Sequence, residues 1–342
     1  MKVTLRHYRL PLFISLLLLT TQVFAEGPFV EKKKTYTKSY NVSNSDKISL
    51  TNQFGEMKIN TWDKNEVSVS VTITAEANTD EKAQAILDVI SIEDGKNADG
   101  VFFKTKINKN NTDQRWGKGE KQGFHIDYVV NMPARNPLQA KNEFGPMTIG
   151  DYNGEVTLES KFGSLTTGKL NNVKKVTIEF GKGTIGSINN GSLVIKFSKA
   201  AIENLDGSVN AVFEYCDIAK LRVDNSTKAL TVKNSFSNLY LDLNTNISAN
   251  FDISTNFGDL HNKTNFEIKE EGADDDRHGP RFNKRYQGKT GSGTTDMKIK
   301  SEYGQITLGH NLNIDMNKEK SKDKDKDKDK DKDKDKRGAV RI

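Results

Sequence analysis

Polar and apolar residues alternate along most of this chain. Val67, Val69, Val71 and Ile73 are separated by single Ser or Thr residues, the period of two that marks a strand with one buried face. Ile48 and Leu50 open that pattern, and residues 101–107 and 124–132 read as further strands. Residues 26–40 read as an extended lead-in. The period changes once after residue 25. Ala83, Ile86, Leu87 and Ile90 fall at helical spacing behind Thr79 and Asp80, either of which can cap a first turn. One helix is therefore predicted over 80–90. The polar stretch 108–122 reads as a loop.

From Leu138 a repeat takes over. "KNEFGPMTIG", "ESKFGSLTTG" and "TIEFGKGTIG" follow one another at intervals of 18 residues. Aligned on an aromatic slot, the copies carry Phe144, Phe162, Phe180, Phe197, Phe213, Phe236 and Phe257. Phe54 fits the slot earlier, and Tyr303 fits it after a gap of 46 residues. Three and five residues beyond the aromatic the positions are mostly apolar, as in Met147 and Ile149 or Ile306 and Leu308; Asn262 breaks the rule. The residues before it alternate, so that Val176, Ile178 and Phe180 share one face. On that pattern the repeat aromatics are expected to stack inside the core. Gly150, Gly168 and Gly186, and the Asn-rich steps at 153–154, 171–172 and 189–191, mark corners, because Gly and Asn tolerate positive φ.

A unit this short cannot bury its own apolar face, so the copies must stack. Eighteen residues reach at most about 60 Å, enough for one turn of a triangular coil but short of a propeller blade. The fold class expected is all-β: a single-stranded parallel β-helix with turns of about 16–23 residues, preceded by a β-rich segment with one short helix. At about 4.8 Å per turn, eight turns give a rod of roughly 38 Å. The divisions expected are a signal peptide at 1–25, the N-terminal β-rich segment at 26–137, the repeats at 138–315 with an inserted loop at 270–295, and a Lys/Asp tail at 316–342. The N-terminal segment and its helix are expected to cover one end of the coil. The other end, near 308–312, would have only the tail.

The first 25 residues carry a secretory pattern: Lys2, Arg6 and Arg9, an apolar run over 10–19, then Val23-Phe24-Ala25 as a cleavage site. That run is shorter than the roughly 20 residues a membrane span needs. Glu26 and not a cysteine stands directly after the site, which excludes a lipoprotein anchor there, and no later segment is apolar enough to span. Removing the signal takes three positive charges from a formal +6, leaving +3, which weakens the case for a nucleic-acid partner. The one cysteine, Cys216, can make no internal disulfide. It sits three residues after Phe213, where other copies place core residues. The alternating Lys and Asp of the tail cannot offset the entropy of ordering and read as solvated chain.

The stretch "NQFGEMKINTWDKNEVSVSVTITAEANTDEKAQAILDVISI" followed by the repeat array resembles the putative-adhesin β-helix proteins of the bacterial cell envelope, especially those of Bacteroidota. The resemblance covers roughly residues 35–315. It implies an exported β-helix and carries no catalytic residues that could be assigned here.

Little in the chain points to chemistry. His125, His261, His278 and His310 are isolated, without a second ligand at metal-binding spacing. Asp274-Asp275-Asp276 lacks the glycine and terminal glutamate of a calcium loop. No G-x-S-x-G elbow occurs. No cofactor or metal is expected. Glu143, Glu159 and Glu179 nearly align on successive turns and could supply the paired carboxylates of a glycosidase; Lys161 and Lys196 share the row of Glu143 and Glu179, so simple charge pairing explains them. Trp62, Trp116 and Tyr152 lie outside the repeat slots. Trp116, with Arg277, Arg281 and Tyr286 in the insert, is a candidate ligand contact. The role expected is non-enzymatic adhesion or scaffolding, with a glycan or an envelope or surface protein as partner. The rival roles are a polysaccharide-active enzyme and an envelope-sensing accessory protein.

Overall fold

A computed structural model describes residues 30–108, 122–272 and 281–317. The expected signal peptide, most of the polar loop at 108–122, and the tail from 318 lie outside them. The described residues are all-β with one helix, and their 21 strands belong to one hydrogen-bonded sheet.

The first part holds β1 (Val30–Asn41), β2 (Lys47–Gln53), β3 (Met57–Trp62) and β4 (Glu66–Ala77), then α1 (Asp80–Asp88), β5 (Ile90–Asn97), β6 (Gly100–Ile107) and β7 (Gly123–Pro133). The helix starts where the capping pattern placed it: Thr79 Oγ1 accepts the Lys82 N–H at 3.3 Å, and Ala83, Ile86 and Leu87 are buried. The lead-in is a full strand, with β1 pairing antiparallel along all of β4. β4 in turn pairs antiparallel with β7.

The repeats form β8 (Leu138–Glu143), β9 (Met147–Ile149), β10 (Tyr152–Lys161), β11 (Ser164–Glu179), β12 (Lys182–Lys196), β13 (Lys199–Glu214) and β14 (Ile218–Ser235). β8 and β9 pair in parallel with β10 and β11, and from β10 to β14 each strand pairs in parallel with the next, one copy beside another. The chain closes with β15 (Asn238–Leu243), β16 (Ala249–Asn256), β17 (Leu260–Asn262), β18 (Ile268–Glu270), β19 (Asn283–Thr290), β20 (Thr295–Glu302) and β21 (Gln305–Gly309).

One row of paired positions orders the whole stack. It runs from Tyr128 through Met57, Met147, Leu165, Gly183, Ala200, Ala219 and Leu239 to Ile306 and Leu260. The core follows this row: Met57, Met147, Leu165, Ala219, Leu239 and Ile306 are fully buried. Spatial order departs from sequence order at both ends. The strands β2 and β3 lie inside, between the repeats and the later strands β6 and β7.

At the other end the 46-residue gap before Tyr303 is no excursion within one turn. The chain passes over one level, builds β16 and β17, returns through β18 and β19, and lays β20 and β21 between β14–β15 and β16–β17. The expected loop at 270–295 therefore contains a strand. Residues 283–290 form β19, antiparallel to the full length of β16, and lack sequence alternation because only Tyr286 of that strand is buried. This end is also better covered than expected: Leu308 is buried inside the stack, beneath β17.

Candidate interaction face: an exposed aromatic ladder

At the end of each level the chain turns a corner at an aromatic residue. Phe54, Phe144, Phe162, Phe180 and Phe197 all have φ between 50° and 63°. So do Tyr215, Phe236, Phe257 and Tyr303. This is the left-handed region, which costs an L-residue roughly 1–2 kcal/mol. The corner keeps the hydrogen-bond ladder intact: the Phe162 N–H donates to the Glu179 carbonyl at 3.0 Å, Phe197 to Glu214 at 2.9 Å, and the other rungs likewise. It also swings each ring outward.

This overturns the expected burial of the repeat aromatics. The nine rings are 36–51% exposed. They stack on one another with centroids 4.8–5.0 Å apart and planes within 6°. Phe282 extends the column at one end, 4.9 Å from Phe257, and Phe124 meets Phe54 edge-on at the other. Each offset stack is worth about 0.5–1.5 kcal/mol, close to the strain of the corner that creates it. The ring order follows spatial order, so Tyr303 sits between Phe236 and Phe257.

The slot in the fifth repeat belongs to Tyr215, with Phe213 two residues earlier and fully buried. Both aromatics fit a period of two. The row before the ladder could have told them apart: Glu214 continues the alternation of Glu143, Lys161, Glu179 and Lys196, whereas the residue before Phe213 is Val212. Cys216 thus follows the ladder directly and does not occupy the slot three beyond. It is buried all the same, its Sγ lying 3.3 Å from the Ile195 carbonyl, and burial pushes its thiol up.

After the ring the chain passes so close to the next level that little fits. A Cβ on Gly163 would lie 2.0 Å from the Gly145 carbonyl oxygen, and one on Gly181 1.9 Å from that of Gly163. Ser198, Cys216 and Ser237 fill this position in the central levels. Ser198 Oγ accepts from the Gly181 N–H at 3.0 Å, and Ser237 Oγ from the Cys216 N–H at 2.8 Å. Two residues before the ring, the side chain points inward. Asn142 donates there to the Gly55, Gly145 and Pro146 carbonyls at 2.9–3.0 Å. Asn234 does the same for Ser237.

One residue before the ladder runs a row of paired charges. Lys161 meets Glu179 at 3.1 Å and Lys196 meets Glu214 at 2.8 Å. Glu159 lies between Lys141 and Lys161, 3.3 Å from each. Partial burial pushes the Glu159 carboxyl up, but the two lysines hold it below the usual carboxylate range. A glycosidase acid needs the opposite shift. The expected pairing of these charges is what the geometry shows.

The other candidate contacts do not converge. Trp116 and Arg277 lie outside the described residues, as does the acidic run at 274–276. Arg281 reaches Glu270 at 3.8 Å. Tyr286 is buried against β16, and burial pushes its hydroxyl up. Trp62 donates to the Glu66 carbonyl at 2.7 Å, and Tyr152 is fully buried with its hydroxyl on the Asn136 carbonyl. Over β16, β19 and β20 lies a shallow hollow of about 520 Å³ bordered by Asn250, Asp252, Gln287, Lys289, Asp296 and Lys298. Among the described residues no three His, Cys, Asp or Glu side chains group as metal ligands, and no helix is long and apolar enough to cross a membrane.

No family model and no curated protein matches the chain. Solved structures similar to it include one described as a putative adhesin from Bacteroides fragilis (13% identity, TM-score 0.37, 80% of this chain and 97% of that one). Another is a putative cell adhesion protein from Clostridium sporogenes (11% identity, TM-score 0.24, 82% and 100%). A third is a putative lipid binding protein from Parabacteroides distasonis (10% identity, TM-score 0.27, 80% and 96%). The first two names agree with the family resemblance drawn from the sequence. The likenesses are loose.

Proposed function

We propose that the parallel levels are the turns of a β-helix, and that the chain is exported and serves the cell envelope or surface as a non-enzymatic adhesion or scaffold module. The export reading rests on the secretory pattern of the first 25 residues. The contact reading rests on one observation, the column of ten exposed rings. Contiguous apolar stripes on a protein surface mark contact sites. Charged rows beside this one are already paired and offer little reactivity.

The form of the ladder selects the partner. Each ring face is covered by the next ring, so the column presents C–H edges. Sugars stack on ring faces, which are not offered along the column. An apolar protein surface fits better than a glycan. The test is retention of the secreted chain on immobilised envelope proteins, host proteins and glycans. The triple variant Phe162→Asn, Phe180→Asn, Phe197→Asn keeps residues that tolerate positive φ while deleting three rings. The expected result is retention on protein surfaces that the variant loses by at least about tenfold. Equal retention of both would sink the ladder as the contact, and no retention anywhere would sink the adhesion reading.

A further inference from the structure

We infer that the ladder is a homophilic interface: two copies of this chain pack antiparallel, ladder against ladder, about a two-fold axis lying between the levels of Phe197 and Tyr215. The inference rests on the reading of the ladder as a contact face and names its partner.

The ladder itself suggests where such an axis falls. It has ten rings, five from Phe54 to Phe197 and five from Tyr215 to Phe282. An axis at their midpoint sets Phe197 opposite Tyr215 of the second copy and Phe144 opposite Phe257. It leaves no ring unmatched.

Charge decides between this axis and its neighbours. In an antiparallel pair with the axis across the levels, each row faces its own reverse. With the midpoint axis, Lys196 faces Glu214 of the second copy and Lys161 faces Glu302. Two residues further from the ladder on that side, Glu159 faces Lys300, and Val194 faces Val212. On the other side Lys199 faces Asp217, and Lys182 faces Asn238. No like charges meet in these rows. Moving the axis one level toward Phe180 brings Lys182 opposite Lys199. Moving it half a level sets Glu179 opposite Glu214 in one direction and opposite Glu302 in the other. A parallel pair sets Lys196 opposite Lys199 and Glu214 opposite Asp217. Like-charge contact of this kind selects against wrong arrangements. A self-complementary patch is also what a two-fold interface requires.

The size is adequate. Ten levels at about 4.8 Å span roughly 43 Å. A standard interface buries about 800 Å² per partner, which this length reaches with a band about 19 Å wide, the ladder and its flanking rows. The tail is the wrong chemistry for this stripe: alternating Lys and Asp cannot cover apolar rings. It departs beside the ladder, where Lys182 donates to Asn317 at 3.1 Å.

Two measurements test the pairing on the secreted chain. Sedimentation should show a dimer. Lys196→Glu should raise its dissociation constant by about tenfold or more, and Lys196→Glu with Glu214→Lys should restore it, at unchanged monomer melting for the double variant. In mild oxidant, a mixture of Phe144→Cys and Phe257→Cys chains should cross-link, while either alone should not. Each position is roughly 34 Å from its own copy across this axis. Wild type, with Cys216 buried, is the blank. A monomer at all concentrations, or a Phe144→Cys chain that cross-links to itself, would overturn the inference. A monomer that still binds other surfaces would leave the adhesion reading standing. A cross-linked dimer that binds no other surface would carry the pairing and remove that reading.

Discussion

The two ends of the stack solve one problem with unequal means. A row of parallel strands ends in unpaired N–H and C=O groups, which invite association. At both ends the chain covers them with antiparallel strands, β7 and β4 at one end, β16 and β19 at the other. At both ends the level inside the cover is the one nearest a chain terminus in sequence. The first cover is thick. Phe103, Ile126, Val130 and Met132 are fully buried, and α1 lies over β1 and β4. The second is thin: β19 buries only Tyr286, and Leu260, Phe266 and Ile268 are half-buried. A cover with its own core can hold an end of the stack closed by packing. A thin cover depends on the strand beneath it.

Removing that strand should have the largest effect. A stop before Thr295 deletes Met297, Ile299, Ile306 and Leu308, all buried. At about 1.5–3 kcal/mol each, they account for about 6–12 kcal/mol, the size of a whole domain's stability. The truncated chain should be aggregated or protease-sensitive throughout, as read by soluble yield and limited proteolysis. A compact, cooperative product would show that the thin cover stands alone.

A smaller loss should mark the thick cover. Leu87→Ala opens a cavity beneath α1 and should cost about 2–5 kcal/mol in denaturant unfolding, with the fold retained. If the fold is lost instead, the N-terminal cover is no sturdier than the other.

The buried asparagines should separate the ends more finely. Asn52 donates to the Ile126 carbonyl at 2.8 Å and accepts from Thr105, joining the first level to its cover. Asn234 donates to the Ser237 carbonyl and to Ser301 Oγ at 2.9 Å, joining β14 to β20. Alanine at either leaves buried carbonyls unpaired and should cost about 1–3 kcal/mol. Both together should cost the sum, since the sites are far apart. Strong non-additivity would mean that the ends communicate.

The smallest effect is a pH dependence at the first end. Backbone N–H donation from Ser43, then Lys96 and the Ser43 hydroxyl, hold Asp46 down to about 2. A depressed carboxyl adds stability that is full above its unfolded value near 4 and is lost as pH falls toward 2. Asp46→Asn should flatten the melting-temperature profile over that window and change little at pH 7. An unchanged acid limb would remove Asp46 from the account.

Much of this was readable in the sequence for a physical reason. Strand alternation and the capped helix are local, and Val67–Ile73 and Thr79–Leu87 behave as their periods require. The direction of the rings was not. Residues two before and three after the aromatic both point inward, an odd interval, so alternation must break once between them. Sequence cannot say on which side of the ring it breaks; the positive φ puts the break at the ring itself. The order of the last levels was hidden too, because β16 and β20 carry equivalent alternation and either could pair with β14. Only the register shows that β20 does. The pairing of Glu143, Glu159 and Glu179 with lysines, by contrast, followed from their spacing.

The inserted strand has a bearing on how the molecule is made. A chain synthesised from its N-terminus reaches β16 before β20 exists, so the strands that join β16 to β14 come only with residues 295–309. Until those arrive the end of the sheet has no partner, and any chain cut short before them cannot close. The last strands to be made, β20 and β21, are thus the ones that join the cover to the stack.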